Sequence, residues 1–334
     1  MKLSKVLNLV LHQLFETYKD LVLIGEDICD PYGGAFKITR GMSTKYPDRV
    51  ISTPVSEAGI VGVATGLAIG GYRPIVEIMF GDFLSLAFDQ LLNHATKYPQ
   101  MFNTKSCPMI IRTPMGGGRG YGPTHSQSLE KYFLGMPGLN LFVVDRFSEI
   151  NSIFEVALNS DFPSLIIENK ILYNYDYYPL HEEIFVPQYS CFGKEIEGGF
   201  KCFTFNKEMD FDVVILTYGR SIEIALEAGC DLLIDHEINC VVYSTNDLLA
   251  NIPDKVLESV SISTVFATLE EGTGIGSVGE HFLSKICSNS SPNFKYLSFT
   301  SEPTIIPAAK ELEDNVLPSS KKICNDILTV LGVH

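Results

Sequence analysis

The chain has 334 residues, of which 46% are hydrophobic, and its 25 basic and 40 acidic residues give a formal net charge of −15. This length predicts two domains, and the charge argues against nucleic acid and membrane partners, because phosphates and anionic lipids repel an acidic protein. The eight cysteines form no CxxC pair and no Cys/His cluster, which argues against a disulfide scaffold and a zinc site. No segment resembles a signal peptide, so we expect a cytoplasmic protein.

Strand-like and helix-like segments alternate along the first half of the chain. Apolar residues at helical spacing predict an amphipathic helix within residues 1–20. Short apolar runs bounded by polar residues predict buried parallel strands. These strands are expected at 21–25, 49–52, 74–79, 109–113, 139–144 and 165–168, with further helices at 82–97 and 150–157. The alternation favours an α/β domain with a mainly parallel sheet.

The segment 56–71, SEAGIVGVATGLAIGG, stands out because Glu57 is the only charge in a run of small and apolar residues. It is too short to span a bilayer, which takes about 20 apolar residues, so it predicts a helix buried in a core or a subunit interface. Glu57 either complements the helix dipole or is buried with a specific partner. Each glycine weakens a helix by up to ~1 kcal/mol, so the five present indicate that something packs very close to this backbone. They are Gly59, Gly62, Gly66, Gly70 and Gly71.

The alternation stops between residues 169 and 211, where the chain is rich in Tyr, Pro and Gly. This composition predicts a linker with room for one β-hairpin around 197–199. A second α/β unit then begins, with strands expected at 213–216, 238–243 and 264–269 and helices at 219–234, 253–259, 276–287 and 321–331. We therefore predict a three-layer α/β domain over 1–185, a linker over 186–211 and a second three-layer α/β domain over 212–334.

Polar residues that could carry chemistry follow the ends of the predicted strands, where ligands of open α/β sheets bind. The most distinctive are Glu57, Asp82 and His125. His125 lies in a glycine-rich loop, and a catalytic role competes there with a histidine that merely binds backbone. The same loop could hold an anion at 116–118, although a mobile substrate loop is the simpler interpretation. These residues predict an α/β enzyme with a Glu57/His125 site, and they do not give the reaction.

Several longer stretches carry a family resemblance, among them LIGEDICDPYGGAFKITRGM, STPVSEAGIVGVATGLAIGGYRPIVEI, GYGPTHSQSLEKYFLGMPGL and LEEGTGIGSVGEH. They resemble the beta subunit of thiamine diphosphate-dependent 2-oxo acid dehydrogenases, the decarboxylating components of the pyruvate and branched-chain complexes. The resemblance is collinear and covers nearly the whole chain. It implies a thiamine-binding (pyrimidine) domain followed by a transketolase C-terminal-type domain.

The resemblance assigns roles to four residues around the cofactor. The glutamate that matches Glu57 hydrogen-bonds the aminopyrimidine ring and so helps to generate the thiazolium nucleophile, which stores the electrons left by decarboxylation. Partial burial would raise the pKa of Glu57 and let it share a proton, within an apolar wall of Val55, Ile60 and Phe83. Val55 and Phe83 match residues that pack around the aminopyrimidine. Leu86 is also expected at the cofactor, where pyruvate-specific relatives carry a polar residue.

The second implied catalytic residue is His125. It matches the histidine that faces the reacting centre and assists acyl transfer to lipoamide. The GDG motif that holds diphosphate and magnesium in this family is absent. The resemblance therefore implies an alpha subunit that holds the magnesium and completes the thiamine diphosphate site in an α2β2 heterotetramer. Other implied partners are a second beta subunit, a lipoyl acyltransferase core and a small-molecule 2-oxo acid.

Two departures from the family pattern limit what carries over. Relatives bind potassium through backbone oxygens and an aspartate, at positions that match Met109, Ala157, Leu158 and Ser160. The aspartate position is Ser160 in this chain, so the potassium site is in doubt. A segment of the C-terminal domain that is usually D-[LI]-R-T reads YSTN at 243–246, which weakens the inference of docking to the acyltransferase core.

Two other functions stay open beside the 2-oxo acid dehydrogenase. The chain could be the pyrimidine-binding half of a split transketolase-like enzyme, which transfers a ketol or acyl unit to an aldehyde. It could also be a non-catalytic assembly subunit that keeps the fold and has lost the chemistry. The retained Glu57 and His125 favour a catalytic role.

Overall fold

The computed structural model describes residues 1–103, 106–180, 183–206, 210–289 and 293–333. The chain divides into two compact units. The first unit comprises Met1–Gly116 and Tyr132–Tyr178, and the second comprises Gly117–Lys131 and Pro179–His334. The loop 117–131 is therefore grouped with the second unit, although it precedes the last strands of the first unit in sequence. The domain limits given above, 1–185, 186–211 and 212–334, stay predictions.

The first unit is built on six strands, which the apolar runs of the sequence predict. They are β1 Leu21–Glu26, β2 Val50–Thr53, β3 Arg73–Glu77, β4 Ile110–Met115, β5 Asn140–Val143 and β6 Ser164–Asn169. All neighbouring strands run parallel, in the order β2-β1-β3-β4-β6-β5. Strands β1, β4 and β6 are buried along their whole length, which explains their nearly continuous apolar sequences.

Seven α-helices accompany this sheet among the described residues. They are α1 Leu3–Thr17, α2 Met42–Lys45, α3 Glu57–Ile69, α4 Leu84–Asp89, α5 Tyr98–Met101, α6 Lys131–Leu134 and α7 Ile150–Leu158. The apolar face of α1 is buried in the core of the unit, as its helical spacing predicts. The single helix expected at 82–97 is instead a 3₁₀ turn, then α4, then a π-helical segment at Gln90–Ala95. The Thr96 hydroxyl donates to the Leu91 and Leu92 carbonyls at the end of that segment.

The second unit contains a mixed sheet of seven strands. They are β7 Ile184–Val186, β8 Cys191–Glu195, β9 Phe200–Thr204, β10 Val213–Tyr218, β11 Cys240–Thr245, β12 Val265–Thr273 and β13 Lys295–Ser301. The sheet order is β13-β12-β10-β11-β9-β8-β7, in which β10 to β13 are parallel and β7 to β9 are antiparallel. Strands β8 and β9 form a hairpin whose turn contains 197–199, and both strands belong to this sheet.

Five further helices belong to the second unit: α8 Ser221–His236, α9 Asp254–Ile262, α10 Val278–Asn289, α11 Lys310–Val316 and α12 Ser320–Leu331. The expectation of two α/β domains is confirmed. Strand β13 and helix α11 have no counterpart in the sequence prediction, because β13 is only partly buried, α11 is largely exposed, and both lack a continuous apolar signal. Within the described ranges, no helix is long and apolar enough to cross a membrane.

Candidate active site

Glu57 is the first residue of α3 and follows β2 at the carboxyl edge of the parallel sheet. Only 5% of the residue is exposed. Among the described residues, no hydrogen bond or ion pair joins the Glu57 carboxylate to another group. Keeping a buried carboxylate without a partner is costly, so its position fits contact with a molecule from outside this chain. The burial also argues against an exposed carboxylate that only complements the dipole of α3.

A second buried carboxylate, Glu26, lies close to Glu57. Glu26 ends β1 and is in register with Thr53 on β2, and it is 6% exposed. The backbone N–H of Ser56 donates to Glu26 Oε1 at 3.3 Å. Burial raises the pKa of Glu26, and the negative charge of Glu57 raises it further. Glu26 therefore holds a proton more readily than an isolated glutamate does.

The apolar residues expected around Glu57 differ in their exposure. Ile60 is buried, whereas Phe83 is half-buried and its ring contacts Phe80 edge-on with the centroids 6.4 Å apart. Val55 is 79% exposed and Leu86 is 57% exposed. Within this chain, Val55 therefore forms no buried wall beside Glu57. Exposed apolar side chains of this kind are free to contact a cofactor or another subunit.

Within this chain, few atoms pack closely against the glycines of α3. A Cβ atom at Gly62 would come within 3.1 Å of Gln90 Oε1, which is a close approach. At Gly66 and Gly71 a Cβ atom would meet nothing within 4 Å. At Gly59 and Gly70 it would meet only atoms of Ser56 and of the α3 backbone. Close approach within this chain is therefore limited to Gly59, where a Cβ atom would lie 2.8 Å from Ser56 Oγ, and Gly62, and packing of another subunit against α3 stays a prediction.

His125 belongs to the second unit and lies in the loop 117–131. Its side chain is half-buried, and its Nδ1 atom lies 3.0 Å from Thr124 Oγ1. Every second residue from Gly116 to Gly122 is a glycine with a φ between 69° and 93°, a conformation that other residues adopt only at a cost. The glycines therefore set the path of the backbone that carries His125. Glu57 belongs to the first unit, so a shared Glu57/His125 site stays a prediction.

Two glutamates of the second unit hold the backbone of this loop. Glu271 Oε1 accepts hydrogen bonds from the N–H of Gly117 and, at 3.2 Å, from the hydroxyl of Ser128. Glu313, which is fully buried on α11, accepts the N–H of Gly120 at 2.7 Å. The N–H of Gly117 is therefore already bound by a carboxylate, which argues against an anion site at 116–118.

The potassium expectation receives little support from the geometry. The Met109 carbonyl accepts the N–H of Ser164 at 2.8 Å, and the Ala157 carbonyl accepts the N–H of Ser160 at 3.4 Å. The Ser160 hydroxyl oxygen accepts the side-chain amide of Asn140 at 2.7 Å. Oxygens at three of the four expected positions thus already take part in hydrogen bonds. Over the described part of the chain, no group of three or more His, Cys, Asp or Glu residues could hold a metal ion.

Comparison with known proteins finds one family match in each half of the chain. Residues 1–176 match the family described as "Transketolase, pyrimidine binding domain", and residues 205–323 match "Transketolase, C-terminal domain". The chain is 27% identical to the pyruvate dehydrogenase E1 component subunit beta of Saccharomyces cerevisiae, over 100% of this chain and 90% of that protein. It is 31% identical to the corresponding subunit of Gracilaria tenuistipitata, over 87% of this chain and 84% of that protein.

A third relative is named for a different activity. The chain is 28% identical to the acetoin:2,6-dichlorophenolindophenol oxidoreductase subunit beta of Cupriavidus necator, over 97% of this chain and 95% of that protein. A solved structure described as a split gene transketolase in an inactive beta4 tetramer has a TM-score of 0.72. Its sequence identity is 19%, over 98% of this chain and 97% of that one, so it shows likeness of fold alone. Together, the family matches and the full-length relatives show that this chain belongs to the transketolase-type family of thiamine diphosphate-dependent 2-oxo acid dehydrogenase beta subunits.

Proposed function

We propose that this chain is the catalytic beta subunit of a heterotetrameric 2-oxo acid dehydrogenase component. The complex would decarboxylate pyruvate or a branched-chain 2-oxo acid and transfer the acyl group to lipoamide. The observation that carries the proposal is the buried Glu57 carboxylate, which has no partner among the described residues of its own chain. A carboxylate kept in this state fits a ligand with a basic ring nitrogen, such as the aminopyrimidine of thiamine diphosphate.

Bound thiamine diphosphate would supply a nucleophilic carbon and an electron sink, and the residues of this chain would control protons around it. Glu57 would hold a proton against the pyrimidine ring nitrogen. Glu26 supports this role because burial and the charge of Glu57 raise the pKa of Glu26, which favours a proton on Glu26 beside Glu57. Phe83, Val55 and Leu86 would pack against the ring.

The acyl-transfer half of the reaction would depend on His125. An imidazole can donate a proton to a substrate oxygen or accept one near neutral pH, which suits transfer of an acyl group to lipoamide. The anchoring of the loop by Glu271 and Glu313 supports a fixed position for His125 within the second unit.

An alpha subunit would complete the cofactor site. The sequence lacks the family's diphosphate and magnesium motif, and the described residues contain no cluster that could hold a metal ion. We therefore propose that the alpha subunit holds the diphosphate and magnesium. Potassium, a second beta subunit and a lipoyl acyltransferase core are further expected components. The exposed Val55, Val63 and Leu86 support a contact of this face with another subunit, because apolar side chains favour burial.

The first experiment tests the need for a partner. The chain would be purified alone and together with the product of an adjacent alpha-subunit gene. We expect thiamine diphosphate and magnesium to bind only the mixture in calorimetry. We also expect reduction of an artificial electron acceptor by the mixture, in a screen of pyruvate, 2-oxobutanoate, branched 2-oxo acids and acetoin. Tight binding of the cofactor by this chain alone would contradict the proposal.

The second experiment tests Glu57 directly. The Glu57→Gln variant keeps the shape of the side chain and loses the acid, so it should assemble normally and lose decarboxylation by at least ~100-fold. Glu155→Gln, an exposed substitution on α7, is the matched control and should keep full activity. Near-normal turnover of Glu57→Gln with an artificial electron acceptor would refute the assigned role.

Acetoin defines a second candidate function. The relative from Cupriavidus necator is named for acetoin oxidation, and its sequence is as similar as those of several pyruvate dehydrogenase subunits. Activity with acetoin and none with 2-oxo acids in the same screen would identify this alternative. Transfer of a ketol unit to an added aldehyde would instead indicate a split transketolase.

A further inference from the structure

A cavity of about 580 Å³ lies between α1 and the segment 36–40 in the first unit. It is lined by Ser4, Lys5, Asn8, Leu9, His12, Phe36, Lys37 and Arg40. This set contains two lysines, one arginine and one histidine, and it contains no aspartate or glutamate. The whole chain has 40 acidic and only 25 basic residues, so a lining with basic groups alone departs from the composition of the protein.

The cations of this cavity have no carboxylate to neutralise them. Among the described residues, Lys5, Lys37 and Arg40 form no ion pair with an aspartate or glutamate. Lys37 donates to the Tyr32 carbonyl at 2.6 Å and its ammonium lies 4.0 Å from the Tyr32 ring centroid, so both contacts that orient it are with uncharged groups. Glu16, an acid on α1, is paired with Lys45. Three unneutralised cations at one cavity produce a local positive potential.

The wall that carries Lys37 and Arg40 is fixed to α1. The buried amide of Asn8 donates to the carbonyls of Ile38 at 2.7 Å and Arg40 at 2.9 Å. The hydroxyl of Thr39, itself fully buried, donates to the Ile28 carbonyl at 2.9 Å. The backbone between the two cations is therefore held from both sides. A binding site held this way loses little freedom when a ligand arrives.

Lys37 adopts an unusual backbone conformation at this cavity. Its φ is +64°, in the left-handed region that residues other than glycine seldom occupy. Conformations of this kind persist where surrounding structure enforces them, and they concentrate at functional sites. The adjoining apolar residues Leu9 and Phe36 give the cavity a surface that can contact the organic part of a ligand.

We propose that this cavity binds a small phosphorylated molecule, whose phosphate oxygens contact Lys5, Lys37 and Arg40. Arginine and lysine are the side chains that recognise phosphate, through charge-assisted hydrogen bonds. None of the residues proposed for thiamine diphosphate lines the cavity, so this site is separate from the one that contains Glu57. The proposal does not depend on the proposed function, since binding is measured without catalysis.

Calorimetric titration of the full chain tests the proposal. The probes are inorganic phosphate, pyrophosphate, inorganic triphosphate and ATP. We expect affinity to rise from phosphate to the triphosphates and to fall as salt is added, because the contacts are ionic. Tighter binding of ATP than of inorganic triphosphate would identify a nucleotide, through Leu9 and Phe36. Equal affinity for ATP and inorganic triphosphate would show that the cavity recognises the polyphosphate group and not the nucleoside. The absence of binding by all four probes would overturn the proposal.

Charge-neutralising variants locate the binding. Lys37→Gln/Arg40→Gln should weaken binding of the triphosphates by about tenfold or more, and Lys5→Gln by less. Lys97→Gln/Lys321→Gln removes the same charge from exposed positions outside the cavity and should leave binding unchanged. Equal losses in the two double variants would refute a site at this cavity. Lys5→Gln alters only the exposed face of α1, so it keeps the test valid if the double cavity variant folds poorly.

Discussion

Two clusters of buried acids, one in each unit, differ in whether an arginine bridges two carboxylates. In the first unit, Arg112 on the middle strand β4 donates to Glu168 Oε1 at 2.8 Å and also pairs with Glu77 on β3. The Tyr173 hydroxyl adds a hydrogen bond to Glu168 at 2.6 Å. All four side chains are buried. Burial alone would lower the pKa of Arg112, but the two carboxylates raise it, so the guanidinium stays charged.

The second unit contains acids of similar burial, and no arginine bridges two of them among the described residues. Glu130 and Glu270 are buried, and Glu270 accepts hydrogen bonds from the Tyr218 hydroxyl at 2.8 Å and from the N–H of Val278 at 3.0 Å. Burial, together with the charges of Glu271 and Glu270, raises the pKa of Glu130 to about 8. The comparison teaches that a guanidinium stays charged between two buried carboxylates, and that burial raises the pKa of an acid in both clusters, at Glu77 in the first and at Glu130 in the second.

The largest expected effect comes from removing the cation of the first cluster. Arg112→Met leaves Glu77 and Glu168 buried without a counter-charge, which should reduce the free energy of unfolding by about 3–5 kcal/mol. Urea unfolding followed by circular dichroism measures the change. Adding Glu77→Gln and Glu168→Gln to Arg112→Met removes the uncompensated charges and should recover part of the loss. If Arg112→Met alone costs less than about 1 kcal/mol, the network does not control stability in the way described.

The second prediction concerns pH and Glu130. Because the pKa of Glu130 rises from 4.5 to about 8 on folding, the folded protein holds a proton there that the unfolded chain loses. This contribution is fully present below pH 4.5 and is lost as pH rises through about 8. The free energy of unfolding should therefore fall by up to about 1.4 kcal/mol per pH unit across that window.

The variant Glu130→Gln isolates this effect from other buried acids. It cannot ionise, so the difference in stability between wild type and variant should shift steadily in favour of the variant from pH 5 to pH 8. Glu227→Gln removes an exposed glutamate of α8 and should run parallel to wild type at every pH. A constant difference between wild type and Glu130→Gln would show that Glu130 does not titrate in this window.

Much of the fold follows from the sequence, because apolar runs and helical spacing depend on local residues alone. The buried Arg112 also has a sequence signal, since it is the only charge within the apolar strand IIRTPM. Such a residue needs carboxylates from neighbouring strands, and Glu77 and Glu168 are similar single charges in PIVEIM and LIIEN. The sequence gives no strand order, so it does not show that these three strands are adjacent.

The same limit explains what sequence reasoning missed near Glu57. Glu26 and Glu57 are 31 positions apart, and their proximity depends on β1 and β2 being neighbours in the sheet. Close packing on the α3 glycines was expected from propensity alone, but Gly66 and Gly71 face open space in this chain. Propensity shows that a helix tolerates these glycines at a cost, and it does not identify what would pack against them.

The smallest expected effect concerns the loop that carries His125. One carboxylate oxygen of Glu271 pairs with Arg220 at 3.1 Å. The other oxygen accepts hydrogen bonds from Gly117 and Ser128, so Glu271 connects two distant positions of the loop. Glu271→Ala removes all three contacts, which should reduce the free energy of local opening by about 1–3 kcal/mol. Hydrogen exchange of the amides at 117–131 should accelerate roughly tenfold or more, while exchange in β10 and β12 stays slow.

An exposed ion pair provides the matched control for Glu271. Glu302 pairs with Lys322 at 2.5 Å, and both side chains are about half-exposed. Exposed pairs contribute at most about 1 kcal/mol, so Glu302→Ala should leave exchange in 117–131 unchanged. If Glu271→Ala also leaves that exchange unchanged, the loop is held instead by Glu313 and by Lys131, which donates to the Thr273 and Ile275 carbonyls. Faster exchange in Glu271→Ala than in Glu302→Ala would show that a poorly exposed charged group holds structure in the second unit, as the buried Arg112 does in the first.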